Sequence, residues 1–333
     1  MECEGMPLNS YRRQAINKLN LLVYTGKIEI EKVNHCFCGN EDFELLSGFD
    51  RYGLPFGTQI CQNCGLISQT IQLKESSLGL FYDEIYWPLI YGDMKSSSFS
   101  TQLSGSSDFL AFLKDDINFN ADTINIHEIG CGQGDRIVQL GNALKPRYNV
   151  KLYGCDFSSG ALEIASKRGI YTVQGGIEQL LGKGPADILI LSHIVEHFVN
   201  LKESLELIDR LTHNDSLIYV EVPGVIDLKN KREYMFDYQT YTVLAHIHNF
   251  SLATLANVFA SQGLKLVKGS EYVRMILKKN VEKPQEVSSN PYIEIIDALR
   301  DARQKHLKLK KKLTNPLRKY LKSLIKAILG RLD

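Results

Sequence analysis

The stretch Glu128-Ile129-Gly130-Cys131-Gly132-Gln133-Gly134 constrains the fold of this chain more than any other. It stands between INIHEI (124–129), a strand pattern, and a helical pattern that runs to about Lys145. Glycine lets a backbone turn sharply and approach a ligand closely. A helix starting directly behind such a turn presents unpaired N–H groups. KLYGC (151–155) reads as a second strand that leads into Asp156, 22 residues after Gly134. An acid at that point can accept both hydroxyls of a ribose. Strand, glycine loop, helix, strand and acid in this order predict a nucleoside site at the carboxyl end of an α/β sheet. The loop is not the G-x-G-x-x-G of dinucleotide folds, because its third glycine comes one residue early.

The alternation continues. Helix 159–168 precedes a short strand, YTVQ (171–174), and DILILS (187–192) is the apolar run of a strand buried on both faces. A helix over roughly 199–211 leads to SLIYVEV (216–222), which Pro223 and Gly224 stop. Helix 251–262 and the strands LKLVKG and YVRMIL follow, the last two able to pair as an antiparallel hairpin. The fold class expected is α/β: a Rossmann-like doubly wound sheet, mostly parallel with an antiparallel last strand. Before it, residues 8–32 read as helical, with Tyr11, Ile16, Leu19, Leu22 and Val23 at three- to four-residue steps.

The glycine loop resembles the E-x-G-x-G-x-G motif of class I S-adenosylmethionine (SAM) methyltransferases. GCDFS (154–158), GGIEQL (175–180) and SHIVEHF (192–198) match further along, so the resemblance covers about residues 121–280. It implies that Gly130, Gly132 and Gly134 pass close to the methionine part of SAM. It implies that Asp156 holds the ribose, that Phe157 and Ile177 flank the adenine, and that Glu128 orients the loop or the amino group. Cys131 and Cys155 read as buried small residues rather than nucleophiles.

Cys36-Phe-Cys38-Gly39 and Cys61-Gln-Asn-Cys64-Gly65 form a second feature. A Cys-x-x-Cys-Gly knuckle directs two sulfurs at one metal. Two such turns make a closed tetrahedral thiolate site, which favours a structural Zn²⁺. The first pair is one residue short, and His35 stands where a C-x-x-C would begin, so His35 with Cys38 stays open as a substitute set. The segment HCFCGNEDFELL through FYDEIYWPLIYG resembles the amino-terminal zinc-binding part of bacterial methyltransferases that act on sugars. The sugar C-methyltransferases among them continue into a further α/β domain, for which little chain remains here, so an oxygen acceptor is preferred to carbon.

Two histidine groups fall in loops at the carboxyl ends of strands, where open α/β sheets bind ligands. His193-Ile-Val-Glu196-His197 follows the fourth strand, with His193 and His197 one helical turn apart. His246-Ile-His248 precedes the helix at 251. Histidine titrates near neutrality and suits removal of an acceptor proton. His193 and His248 lead as candidate bases, with Glu196, His197 and His246 beside them. Each also has a structural alternative as loop packing or a helix cap. Tyr82 and Tyr86 are placed to close over the acceptor, or to pack.

Charge divides the chain unevenly. Overall Lys+Arg and Asp+Glu nearly cancel at +1, yet from Ile296 onward basic residues outnumber acidic ones 12 to 3. The mildly acidic body disfavours nucleic acid, which needs basic surface. In the tail, Leu317, Leu321, Leu324, Ile325, Ile328, Leu329 and Leu332 share one helical face with Arg and Lys on the others. That pattern suits peripheral membrane contact or packing on the body. The organisation expected is a helix and zinc module (1–75), an aromatic and Ser-rich lid (76–120), a SAM domain (121–282) and a basic helical tail (283–333). With no secretory h-region, the location expected is cytoplasmic, with the inner membrane face as the tail's alternative. The function expected is methyl transfer to a small-molecule or glycan acceptor, nucleotide-linked or lipid-linked. The rivals are a methyltransferase for RNA or protein and a non-enzymatic SAM-fold binding protein.

Overall fold

The structure, a computed structural model, describes residues 8–92 and 106–314. Helix α1 (Ser10–Tyr24) is capped by Asn9, whose side chain accepts the Arg12 N–H at 3.0 Å. It ends sooner than the apolar spacing suggests. Gly26 takes φ +70°, and residues 30–32 form strand β1 (Ile30–Lys32) instead of helix. Strands β2 (Phe43–Ser47), β3 (Thr58–Cys61) and β4 (Ile67–Gln69) make an antiparallel meander, and β5 (Ile71–Leu73) returns to pair with β1. Helix α2 (Leu78–Phe81) then runs through one π turn, Tyr82–Tyr86, into α3 (Trp87–Tyr91). The Ser-rich part of the expected lid, 93–105, lies outside the described residues. Helix α4 (Ser106–Leu113) buries Phe109 and Leu113 against the sheet below, so this part of the segment is core.

The central sheet uses β6 (Thr123–Ile129), β7 (Asn149–Asp156), β8 (Tyr171–Gln174), β9 (Ala186–Ser192) and β10 (Thr212–Glu221), all parallel. Helices α5 (Asp135–Leu144), α6 (Ser159–Lys167) and α7 (Leu201–Leu211) connect them. After the short helix α8 (Tyr238–Tyr241), strand β11 (His248–Asn249) and helix α9 (Leu252–Ala260), a hairpin of β12 (Lys265–Ser270) and β13 (Arg274–Lys278) completes the sheet. The order is β12-β13-β10-β9-β6-β7-β8, with β13 antiparallel to both neighbours. β9 shows why the sheet needs cover on both sides. Ile188 and Ile190 point into one apolar cluster and Leu189 and Leu191 into another, as a period of two requires. A Rossmann-like α/β fold is therefore observed.

Strand β11 does not join this sheet. It pairs antiparallel with β4, making the cysteine-bearing sheet four-stranded in the order β11-β4-β3-β2. The loop before β11 is held by the same module. The buried Asp50 carboxylate accepts N–H bonds from Tyr52 (2.9 Å), Leu54 (3.0 Å) and, across the chain, Leu244 (3.1 Å). Arg51 donates to the Tyr241 and Thr242 carbonyls, and Gln69 Nε2 donates to the Leu244 carbonyl at 2.8 Å.

Helix α10 (Tyr292–Thr314) lies on the 225–241 region, burying Ile295 beside Ile60, Ile67 and Val225, and Ala302 beside Leu228 and Tyr241. The described start of the basic tail thus packs on the body; the apolar face from Leu317 onward lies outside the described residues. Among the described residues no helix is long and apolar enough to cross a membrane.

Asp50→Ala removes one acceptor from three N–H groups. Leaving such groups unpaired costs on the order of 1–3 kcal/mol each in a buried site. A thermal melt should show a lowered midpoint, and limited proteolysis should show faster cutting between Tyr241 and Asn249 than in wild type. An unchanged melt and unchanged cutting would show that the loop does not depend on this carboxylate.

Candidate active site

Gly130, Gly132 and Gly134 take φ values of +64°, +52° and +79°, conformations that disfavour any side chain. Their reasons differ. A Cβ on Gly130 would fall 2.0 Å from Ile194 Cδ1, and one on Gly134 would fall 2.0 Å from Ile170 Cδ1. A Cβ on Gly132 would meet nothing within 4 Å. The outer glycines therefore serve packing, whereas Gly132 borders open space. Asp156 Oδ2 accepts the Gly132 N–H at 2.9 Å and Oδ1 accepts the Ser158 N–H at 2.8 Å. The acid thus ties the loop to the end of β7 and keeps lone pairs for a ligand. Glu128, buried at the end of β6, accepts the Ile137 N–H of the first turn of α5 at 3.2 Å. Burial pushes its carboxyl up to about 8, against the pull of Arg136. Phe157 is exposed and stacks parallel on Tyr82 with centroids 6.0 Å apart, while Ile177 is buried in the core beside β9. Cys131 and Cys155 are buried, and burial raises both thiols, Cys155 to about 12.

The segment after β9 is not the helical turn that the i, i+4 spacing suggests. His193 takes φ +57°, and only Val195–His197 form a single 3-10 turn. His193 and His197 instead flank one carboxylate. Glu196 is 1% exposed; its Oε1 lies 3.5 Å from His193 Nδ1 and 3.9 Å from His197 Nε2. Burial disfavours its charge, but His193, His197 and His246 outweigh that and hold the carboxyl at about 2. Burial likewise works against a charged His193, yet the contact with Glu196 and the nearby Glu221 raise its pKa overall. His246, pushed down to about 3 by burial and by His197, packs edge-to-face on the His197 ring at 5.0 Å. Tyr82 and Tyr86, both in the π turn, each lie 6.4 Å from that ring. A small pocket lies beside them, lined by Leu78, Tyr82, His197, Leu244, Ala245 and Ile247 among others.

The structure thus gathers His193, Glu196, His197 and His246 from the expected set. His248 sits in β11, 7% exposed, paired with Ser68 and packed near Phe250, where burial lowers its pKa to about 4. Sequence reasoning missed the Ala245 carbonyl, 2.7 Å from His197 Nδ1, because a backbone group carries no residue signature. It also missed Glu221 at the end of β10, hidden in a run read as strand. Glu221 bridges Arg136 (2.8 Å) and Arg274 (3.2 Å), and its carbonyl accepts the His193 N–H at 2.7 Å.

The cysteines lie apart from this group. Cys36 Sγ is 3.5 Å from Cys64 Sγ, Cys38 Sγ is 3.7 Å from Cys61 Sγ, and all four sulfurs lie within 4.8 Å of one another. Tetrahedral zinc with bonds of ~2.3 Å sets sulfurs about 3.8 Å apart, so the set fits that ion. Gly39 (φ +84°) and Gly65 (φ +71°) close the two knuckles. Asn40 and Asn63 each place Nδ2 3.5 Å from a sulfur. His35 is exposed and paired with Glu41.

Residues 106–268 match the profile of a family described as "Methyltransferase domain". Residues 106–268 thus resemble a methyltransferase domain, and the glycine loop with Asp156 lies inside the matched stretch. Among curated proteins, C-methyltransferase NovU of Streptomyces niveus is 25% identical over 154 residues, 43% of this chain. The match spans only 36% of that relative's length. Similar solved structures include a SAM-dependent methyltransferase from Clostridium acetobutylicum, with 10% identity and TM-score 0.40, covering 60% of this chain and 98% of that one. Another is the YcgJ protein of Bacillus subtilis, with 16% identity and TM-score 0.37, covering 49% and 71%.

The three glycines should respond differently to alanine. Gly130→Ala and Gly134→Ala should lower the melting temperature, because each Cβ meets a core isoleucine. Gly132→Ala costs only the left-handed backbone strain, roughly 1–2 kcal/mol, and Gly132→Val additionally fills the open space. Calorimetry should show Gly132→Val weakening SAM at least ~10-fold, about 1.4 kcal/mol. SAM affinity unchanged in Gly132→Val would remove the cofactor from this loop.

Proposed function

We propose that this protein transfers a methyl group from SAM to a sugar or glycan precursor, at oxygen in preference to carbon. The observation that carries the reading is the buried Glu196 carboxylate with its ring of imidazoles, set beside the glycine loop. Ile194 joins the two by packing on Gly130, and Tyr82 joins them by stacking on Phe157. A small acceptor with several hydroxyls suits a site where histidine and carboxylate groups lie under two tyrosine rings. The likeness of the amino-terminal cysteine segment to sugar-acting methyltransferases supports the acceptor class, and the NovU match supports methyl transfer.

SAM supplies an activated methyl group for in-line displacement; this chain's residues do the rest. Gly132 leaves room for the cofactor and Asp156 offers carboxylate lone pairs to its ribose. Glu128, reaching from the end of β6 to the first turn of α5, keeps the loop and helix in register. His193, half exposed and steadied by Glu196 at Nδ1, takes the acceptor proton at Nε2, and its raised pKa favours proton uptake. Tyr82 and Tyr86 cover the acceptor and limit water. The four cysteines would hold Zn²⁺ as a structural ion, since four protein ligands leave no open position.

The test supplies methyl-labelled SAM with panels of nucleotide-linked sugars and of glycans, and with RNA and protein as controls. Label should enter a sugar fraction, and His193→Ala should slow transfer ~10²–10⁴-fold while SAM affinity holds. Label entering only RNA or protein, or SAM bound without turnover on any acceptor, would overturn the proposal.

A further inference from the structure

We infer that Glu196, His197 and His246 form a divalent transition-metal site in the acceptor pocket, separate from the four cysteines. The inference rests on the methyl-transfer reading and names how the acceptor oxygen would be held. One potential ligand atom from each of the three side chains lies within 4.8 Å of the others. Glu196 is 1% exposed, and neither of its carboxylate oxygens has a hydrogen-bond partner. The nearest imidazole nitrogen, His193 Nδ1, stands 3.5 Å away. A carboxylate so buried needs a counter-charge, and a metal among three converging ligands supplies one.

The orientation of His197 points the same way. Its Nδ1 is 2.7 Å from the Ala245 carbonyl, which can only accept, so Nδ1 carries a hydrogen and Nε2 is the nitrogen that faces Glu196. A backbone carbonyl behind one ring nitrogen is the usual support of a metal-bound histidine. The frame is firm as well. Glu196 and His197 are neighbours in one 3-10 turn, and the loop bearing His246 is held by Asp50, Arg51 and Gln69.

Two imidazoles and a carboxylate suit first-row ions such as Co²⁺, Zn²⁺, Mn²⁺ or Fe²⁺, and three protein ligands leave coordination positions open. An acceptor hydroxyl bound at an open position becomes more acidic. Its proton passes to His193 Nε2. The oxygen's electron pair forms the new O–C bond as the S–C bond breaks. S-adenosylhomocysteine leaves with the electron pair of that bond.

Cobalt reads both metal sites at once. The tag-free full chain is stripped with chelator, dialysed against Co²⁺, and assayed for cobalt by elemental analysis and for its electronic spectrum. Thiolate-bound cobalt shows intense charge-transfer absorption, whereas cobalt on imidazole and carboxylate shows only weak ligand-field bands. Wild type should hold about two ions per chain, one of each kind. Glu196→Gln with His246→Gln should hold about one, of the thiolate kind. His246→Gln alone, at a partly exposed residue, guards against misfolding of the double variant and should weaken the second ion at least ~10-fold. SAM affinity measured on the same samples keeps the cofactor reading separate. Cobalt of the thiolate kind alone in wild type, or equal cobalt in His246→Gln, would overturn the metal site even where SAM still binds.

Discussion

The Asp50 carboxylate is the interaction on which the geometry of the site depends. It is buried among backbone N–H groups, and one of them, that of Leu244, comes from the far side of the chain. Burial raises Asp50 to about 6, with the three donors pulling the other way. Through this bond, the Arg51 bonds and the β4–β11 ladder, the cysteine-bearing module takes hold of residues 241–249. That stretch brings the Ala245 carbonyl and His246 to His197. The central sheet holds the glycine loop and Glu196; the second wall of the pocket beside His197 is fastened by another part of the chain.

Much of the sheet was legible because its signals are local. The unbroken apolar run of β9 and the glycine loop between β6 and α5 each report a constraint that acts within a few residues. The helix expected over 8–32 ran past its last apolar steps, Leu22 and Val23, to take in Ile28. They do feed one cluster, but Gly26 reverses the chain between them. Strand β11 was illegible for the opposite reason. Two residues carry no period, and His248–Asn249 are extended only because β4 offers an edge.

The candidate site was legible in composition and not in grouping. The spacing of His193 and His197 suggested one helical face, yet His193 adopts a left-handed φ and meets Glu196 from another side. His246 follows the turn at 244–245 and lies before β11 begins, so it does not share with His248 the strand face that a two-residue spacing would give. One joins the carboxylate and the other enters the module. The four cysteines were easier, since each knuckle is a local turn closed by a glycine and only the meeting of the two knuckles needs the fold.

The π turn at Tyr82–Tyr86 bears on how this segment can change in length. Phe81, Ile85 and Leu89 are buried at steps of four residues. In a regular α-helix each such step drifts by ~40° around the axis. The wider π turn absorbs that drift, so the buried stripe stays on one line and the tyrosine stripe beside it stays over His197. The covering face of this helix is therefore set by a residue count as much as by residue identity. Deleting one residue inside the turn would restore a regular helix while rotating every ring after it away from the cleft, so the segment tolerates substitution far better than a change in length.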